Sequence, residues 1–187
     1  MKSSMCKTAV LVCITFLPVL SWAQVRLWDP ARGSAEWIRM DDRKSLRVLI
    51  FLSPECPLCQ NYTLTLNELQ KKYTGVIFTG IVPGKAYGDK TVMEFIRKYK
   101  PGFPVYVDSS RTMSTLLQAK VTPEVYLLRT EKEILYHGSI DNWVKDLGMQ
   151  SARATRFYLR DAIDETLAGK PVQIAYNKPV GCLINDY

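Results

Sequence analysis

The sequence contains little of what would indicate a metal-rich, disulfide-stapled or nucleic-acid-binding protein. Of its 187 residues, one is a histidine (His137) and five are cysteines. Five cysteines are too few for a disulfide-stapled miniature fold, and a chain of this length does not need one. The formal net charge is +7, but no run of five or six basic residues occurs. The basic residues therefore predict a solvated surface and no nucleic-acid partner.

The N-terminus lacks an apolar stretch of the roughly 20 residues that a membrane-spanning helix needs. The uncharged stretch from Thr8 to Ala23 follows two lysines, is 16 residues long and is interrupted by Pro18. It ends in small residues of the kind that a signal peptidase recognises, so the sequence predicts a signal peptide over residues 1–23. An uncleaved N-terminal anchor is the alternative.

Cleavage after Ala23 leaves three cysteines, namely Cys56, Cys59 and Cys182. The mature chain is then expected in the periplasm or outside the cell, with no stable membrane span. Disulfides form and persist in such compartments. An odd number of thiols there indicates that at least one has a separate role.

The composition of the remaining chain is that of an ordinary globular protein, with 47% hydrophobic and 23% charged residues overall. Residues 24–46 show no clean period and predict a lead segment with one edge strand. Val48 to Leu52 is a continuous apolar run, which is typical of a strand buried on both faces. The following apolar residues are spaced by three or four and predict one face of a helix that ends before Gly75: Leu58, Tyr62, Leu66, Leu69 and Tyr73.

Strands and helices alternate in the rest of the chain. Apolar runs predict further strands, and the stretches between them predict further helices. The strands are expected at Val76–Val82, Pro104–Asp108, Val125–Leu128 and Ile134–Tyr136. Asp89 is expected to cap the second helix, and further helices begin at Arg111 and near Ser151. The last of these has an apolar stripe with a spacing of four, formed by Leu159, Ile163 and Leu167. This order predicts an α/β domain over residues 47–187, with parallel strands, a closing antiparallel hairpin and helices on both faces of a mixed central sheet.

A pair of thiols lies between the first clear strand and the first clear helix. Cys56 and Cys59 are separated by Pro57-Leu58, a spacing that brings both thiols to one side of a helix. Unpaired backbone N–H groups and the helix dipole favour a thiolate at the first position, and proline suits the first helical residue. The pattern predicts that Cys56 is the exposed attacking thiol and Cys59 the shielded resolving thiol.

Three other interpretations of the thiol pair are open. A Cys₃His zinc site would need every available thiol and His137, because zinc takes four ligands. The pair is also compatible with a passive structural disulfide. Soft thiolates suit Cu(I), so a non-catalytic copper-binding module or a redox-dead interaction module is a further alternative.

The segment from Arg47 to Ile184 resembles the thioredoxin-like superfamily, specifically its exported redoxin and thiol–disulfide oxidoreductase group. The resemblance lies in Phe51 to Cys59, Val121 to Tyr126, Tyr136 to Asp141 and Val180 to Ile184. It implies a thioredoxin-like fold, dithiol–disulfide exchange without cofactor or metal, and thiol- or disulfide-containing proteins with a redox partner protein as partners.

The resemblance also implies a substrate-binding role for Thr122 and Pro123, with Pro123 as the family's cis-proline opposite the thiols. From the residues alone, an ordinary trans proline at the start of a strand is equally compatible. The peroxiredoxin branch usually has a proline seven residues and a serine or threonine three residues before its reactive thiol. Ser53 fits that pattern, but Leu49 occupies the proline position. A thiol peroxidase using Cys56 is therefore the alternative enzyme.

Two further residues are considered for the site. Cys182 is predicted to be a small buried residue that packs the C-terminal tail, with a role as an accessory resolving thiol as the alternative. His137 is predicted to be a surface or turn residue, since thiol exchange does not require a histidine base.

Overall fold

The computed structural model describes residues 24–39, 45–130 and 133–184. The predicted signal peptide lies outside these residues. Within them, no helix is both long enough and apolar enough to cross a membrane. The elements in chain order are β1 Gln24–Asp29, β2 Ser34–Arg39, β3 Leu46–Phe51, α1 Pro57–Lys72, β4 Val76–Pro83, α2 Asp89–Tyr99, β5 Val105–Asp108, α3 Thr112–Leu117, β6 Val121–Thr122, β7 Glu124–Thr130, β8 Glu133–Gly138, β9 Val144–Asp146, β10 Met149–Gln150, α4 Tyr158–Leu167, β11 Tyr176–Asn177 and β12 Cys182–Leu183.

The main sheet has eight strands in the order β11-β8-β7-β3-β4-β5-β1-β2. Strand β3 pairs in parallel with β4, and β4 with β5, as expected for strands joined by crossover helices. On its other side β3 pairs antiparallel with β7, which forms an antiparallel pair with β8. The predicted mixed sheet with a closing hairpin is therefore confirmed.

Apolar residues of β3 alternate between two cores. Val48 and Ile50 pack with buried residues of α1, α2 and α4. Leu49 and Phe51 pack on the opposite face with residues of α3 and of the β1–β2 hairpin. Since side chains of a strand point alternately to the two faces of a sheet, a continuous apolar strand needs cover on both faces. Helices therefore lie on both faces, as predicted.

The N-terminal lead differs from the prediction of one edge strand. Its described residues form two strands, and β1 joins the main sheet by pairing with both β2 and β5. Val25 and Leu27 are buried in the second core. The hairpin turn at Gly33 adopts φ +62°, a conformation that favours glycine.

The predicted start of the last helix near Ser151 is wrong, because α4 begins at Tyr158. The side chain of Asn142 accepts hydrogen bonds from the backbone N–H groups of Thr155 and Arg156, at 2.8 and 2.9 Å. These long-range bonds satisfy the two amides outside a helix, so the chain here is a loop. At the other end of α4, Leu167 is 58% exposed although it continues the apolar spacing.

Asp89 was expected to cap α2 but is the first residue inside the helix, and the N-cap is Gly88. The carboxylate of Asp89 instead accepts a hydrogen bond from Trp28 Nε1, with distances of 3.0 and 3.1 Å to its two oxygens. A tertiary partner on β1 therefore replaces the local capping bond.

Candidate active site

The predicted thiol pair lies at the junction between β3 and the first turn of α1. Cys56 is the N-cap residue of α1 and Pro57 follows at the first helical position. The Cys56 N–H donates to the carbonyl of Ser53 at 3.1 Å, and the Cys56 carbonyl accepts the first helical bond from Gln60 N at 3.1 Å. The tight turn after β3 thus places the Cys56 side chain at the N-terminus of α1, where unpaired backbone N–H groups favour a negative charge.

Cys59 lies one turn further along α1 and faces Cys56. Its side chain is fully buried, and its sulfur accepts a hydrogen bond from the backbone N–H of Ser53 at 3.3 Å. The two thiols also form a hydrogen bond to each other, and both are free thiols. The arrangement places the two sulfurs close enough for exchange between them.

The environment separates the acidities of the two thiols. A hydrogen bond from the Cys59 thiol, assisted by the Cys182 thiol and by backbone N–H groups of both residues, lowers the pKa of Cys56 to about 5 in spite of burial. Burial, followed by the hydrogen bond to Cys56 and the charge on that residue, raises the pKa of Cys59 well above its usual value. At neutral pH Cys56 is therefore the thiolate and Cys59 the thiol.

Thr122 and Pro123 lie beside this pair. The peptide bond between them is cis. In its protonated form, the Cys56 thiol donates a hydrogen bond to the Thr122 carbonyl at 3.3 Å, and the Thr122 side chain is buried. The structure thus brings together two pairs of residues that are far apart in the sequence, Cys56 with Cys59 and Thr122 with Pro123.

The prediction that Cys56 is exposed is wrong, because only 2% of the residue is accessible to solvent. Pro57 and Glu55 on either side are exposed, so the turn itself reaches the surface. The difference arises because the Cys56 side chain points inwards to Thr122 and is also contacted by the C-terminal tail.

Cys182 reaches the site from the C-terminal tail. Strand β12 pairs antiparallel with β6, which puts Cys182 opposite Thr122. Cys182 packs against the core that contains Val48 and Ile50, as predicted, but it is only partly buried. Burial, the hydrogen bond to Cys56 and the negative charge of Cys56 raise the pKa of Cys182 to about 12. Cys182 therefore packs against the core and also provides a third thiol beside the Cys56–Cys59 pair.

Two polar contacts around the thiols have no local signal in the sequence. Ser53 donates its hydroxyl hydrogen bond to Tyr87 Oη at 2.8 Å, although the two residues are 34 positions apart. On α1, the Tyr62 hydroxyl donates to the buried carboxylate of Asp141 at 2.6 Å, and the same carboxylate accepts Trp143 N at 2.8 Å. These bonds hold the loop after β3 and the start of α1 against neighbouring elements.

His137 lies away from the thiols. It belongs to β8, not to a turn as expected, and its ring stacks against Tyr126 at 5.3 Å between centroids. Its Nδ1 is 3.9 Å from the buried carboxylate of Glu124. In residues 24–39, 45–130 and 133–184, no group of three or more His, Cys, Asp or Glu residues is arranged to hold a metal ion.

The fold and the thiol pair at the start of α1 define a redox protein of the thioredoxin-like class. Strand β3 of the mixed sheet is followed by helix α1, whose N-cap is Cys56. The cis-proline Pro123 faces this cysteine.

Within this class, the model of the AhpC/TSA family matches residues 27–140, and the chain belongs to this family. Family membership supports a redox function and an oxidoreductase activity in general terms. Among curated proteins, no match to the chain was found.

Solved structures with the same fold include two proteins whose functions are not described. An uncharacterized conserved protein of Geobacillus kaustophilus superposes with a TM-score of 0.73 and 22% identity, over 88% of this chain and 89% of the other. A hypothetical protein of Sinorhizobium meliloti gives 0.69 and 24%, over 87% and 90%.

A third structure is a secreted disulfide oxidoreductase of Mycobacterium tuberculosis that is homologous to E. coli DsbE. It gives a TM-score of 0.54 and 16% identity, over 79% of this chain and 96% of the other. At these identities the three structures establish the thioredoxin-like fold.

Proposed function

We propose that this protein is an exported thiol–disulfide oxidoreductase that acts by dithiol–disulfide exchange through Cys56 and Cys59. Its substrates are thiol- or disulfide-containing proteins, and a redox partner protein restores its starting state. The apolar N-terminal stretch supports export.

The opposite pKa shifts of the two thiols carry the proposal. Exchange needs one thiolate that attacks and a second thiol that stays protonated until the first has reacted. Cys56 is ionised at neutral pH because its neighbours donate hydrogen bonds to its sulfur, whereas burial keeps Cys59 protonated. The hydrogen bond from Cys59 to Cys56 stabilises the thiolate of Cys56 and disfavours ionisation of Cys59.

In the reducing direction, the Cys56 thiolate attacks one sulfur of a substrate disulfide. The Cys56–substrate bond forms, the substrate S–S bond breaks, and the released substrate sulfur takes up a proton. Once Cys56 is in the mixed disulfide its negative charge is gone, and one cause of the high pKa of Cys59 disappears with it. Cys59 then loses its proton and attacks Cys56, which releases the second substrate thiol and leaves a Cys56–Cys59 disulfide.

Thr122 is proposed to bind the substrate next to the reacting sulfurs. It lies on β6, outside the main sheet, where its backbone pairs antiparallel with β12 and would pair in the same way with an extended substrate chain that replaces β12. Backbone pairing of this kind tolerates many side chains, because the hydrogen bonds involve only main-chain groups.

The test is reduction of insulin by the full chain in the presence of dithiothreitol. We expect Cys56→Ser to abolish turnover. With dithiothreitol removed, we expect the reduced Cys59→Ser variant to accumulate a mixed disulfide with insulin through Cys56. Cys182→Ser keeps the Cys56–Cys59 pair and is therefore expected to retain insulin reduction, at a rate that differs from the wild type because Cys182 lies beside Cys56. Equal rates for the wild type and Cys56→Ser would refute the proposal. Stoichiometric Cu(I) binding by the reduced pair without turnover would favour the copper-binding alternative.

A thiol peroxidase is the second candidate, because the chain belongs to the AhpC/TSA family and Ser53 lies three residues before Cys56. In that reaction the Cys56 thiolate attacks a peroxide oxygen, the O–O bond breaks, and the other oxygen takes up a proton and leaves as water or an alcohol. The resulting Cys56 sulfenic acid is then resolved by a second thiol, which forms a disulfide with Cys56 and releases water. Rapid formation of a Cys56 sulfenic acid at micromolar peroxide, with slow insulin reduction, would favour this reaction over disulfide exchange.

A further inference from the structure

The C-terminal tail forms a short strand beside the thiol pair. Strand β12 pairs antiparallel with β6 in a separate two-stranded sheet, with Cys182 opposite Thr122 and Leu183 opposite Val121. The pairing is extended by a hydrogen bond from Ile184 N to the Lys120 carbonyl at 2.9 Å. The tail thus uses the backbone of the segment to which the proposed function assigns the substrate.

Gly181 allows the tail to approach this closely. A β-carbon at Gly181 would lie 2.2 Å from the Thr122 carbonyl oxygen and 2.7 Å from its carbon. That carbonyl also accepts the hydrogen bond of the Cys56 thiol. Any side chain at position 181 therefore pushes the tail away from the atoms that surround Cys56.

Cys182 is placed as the cysteine of a bound substrate would be. It lies on an extended segment that pairs with Thr122, beside Cys56, and its thiol and backbone N–H both contribute to lowering the pKa of the Cys56 thiol. The sulfur of Cys56 therefore has two neighbouring thiols, Cys59 on α1 and Cys182 on β12. The three described thiols form one cluster.

The tail also explains why Cys56 is inaccessible. Only 2% of Cys56 is exposed, whereas Leu183 on the tail is 73% exposed. A substrate chain that pairs with Thr122 must first displace β12, which is held by the bonds of a two-residue strand. The tail and the substrate therefore compete for one edge.

We infer that residues 181–184 are a built-in substrate mimic, and that Cys182 forms a reversible disulfide with Cys56 that competes with substrate. The inference rests on the proposed exchange function. Starting from the Cys56–Cys59 disulfide, the Cys182 thiolate attacks Cys56, the Cys56–Cys182 bond forms, and Cys59 leaves and takes up a proton. The step transfers no net electrons and needs no further oxidant.

Oxidation of Cys56 to the disulfide with Cys59 makes Cys182 easier to ionise, and therefore prepares it for this attack. The charge of the Cys56 thiolate and its hydrogen bond both contribute to the high pKa of Cys182. A disulfide sulfur carries no negative charge, so formation of the Cys56–Cys59 bond removes the charge contribution and promotes ionisation of Cys182.

The first experiment maps disulfides in the full-length Cys59→Ser variant after equilibration in glutathione buffers and alkylation of free thiols. We expect a peptide that links Cys56 to Cys182, in place of the glutathione adduct on Cys56 that the Cys59→Ser/Cys182→Ser control accumulates. A Cys56–glutathione adduct with Cys182 free, or a dimer linked through Cys56, would overturn the inference. Circular dichroism confirms that each variant is folded.

The second experiment keeps all thiols and moves only the tail, through Gly181→Ala. Its matched control is Gly75→Ala, because a β-carbon at Gly75 meets no atom within 4 Å. We expect Gly181→Ala to react on the order of tenfold faster with a cysteine-containing peptide disulfide, as a local competitor at millimolar effective concentration is displaced. Equal rates for the two glycine variants would overturn the substrate-mimic role.

The outcomes separate this inference from the proposed function. Insulin reduction through Cys56 without a Cys56–Cys182 link would leave the oxidoreductase proposal intact and refute the tail inference. Formation of the link without insulin reduction would refute the oxidoreductase proposal, and with it the substrate-mimic role, and would leave only the Cys56–Cys182 disulfide.

Discussion

At the scale of single residues, the acidity of Cys56 is decided by its neighbours. The groups that lower its pKa are the thiols and backbone N–H groups of Cys59 and Cys182. One of these neighbours is three residues away in the sequence and the other lies at the opposite end of the chain. The reactivity of Cys56 is therefore coupled to whether the tail is in place.

An ultraviolet titration of the reduced full chain tests this coupling. Folding lowers the pKa of Cys56, so its thiolate is expected to appear with a midpoint at about pH 5, below the value of about 8.5 for a free cysteine. We expect Cys59→Ala and Cys182→Ala to raise this midpoint, because each removes a hydrogen-bond donor to the sulfur, and Cys56→Ser to remove the step. A thiolate that appears only near the ordinary value would contradict the assignment.

At the scale of elements, helix α4 shows that apolar spacing does not establish burial. Leu159 and Leu167 both belong to the predicted apolar stripe, but Leu159 is fully buried against the sheet whereas Leu167 is 58% exposed. The helix starts at Tyr158, later than predicted, and its last residue, Leu167, no longer packs against the core.

The two leucines form a matched pair for a stability measurement. Leu159→Ala is expected to lower the free energy of unfolding by about 2–5 kcal/mol, because truncation leaves a cavity in the core. Leu167→Ala is expected to change it by less than about 0.5 kcal/mol. Urea unfolding followed by circular dichroism measures both, and similar losses for the two variants would contradict the placement of α4.

At the scale of the whole molecule, the N-terminal hairpin is part of the sheet. Strand β1 pairs with β5, and Leu27 is 1% exposed in the core that also contains α3. Trp28 and Trp37 lie on the hairpin, whereas Trp143 lies near α1. Tryptophan fluorescence therefore reports on the N-terminal hairpin and on the region beside α1.

A single unfolding transition is expected as a consequence. Leu27→Ala should lower the free energy of unfolding by about 2–5 kcal/mol, and fluorescence and circular dichroism should still give the same midpoint. The exposed Leu64, at 69% accessibility, provides the control Leu64→Ala. An early fluorescence change in Leu27→Ala, before loss of the circular dichroism signal, would show that the hairpin unfolds separately.

Local patterns predicted much of the fold and the thiol pair. The apolar run at Val48 to Leu52 and the spacing of three and four after it depend on contacts between near neighbours, so β3 and α1 occur where expected. The late start of α4 could not be predicted, because Asn142 satisfies amides that are 13 and 14 residues away. The second N-terminal strand depends likewise on partners elsewhere in the sheet.

The sequence by itself determined that two thiols meet at the start of a helix, because three residues of helix bring them to one side whatever surrounds them. Only the tertiary structure decided that Cys56 is buried and that Cys182 lies against the pair. These features require segments more than 60 residues apart to pack together, and the spacing of residues within a segment carries no information about such contacts.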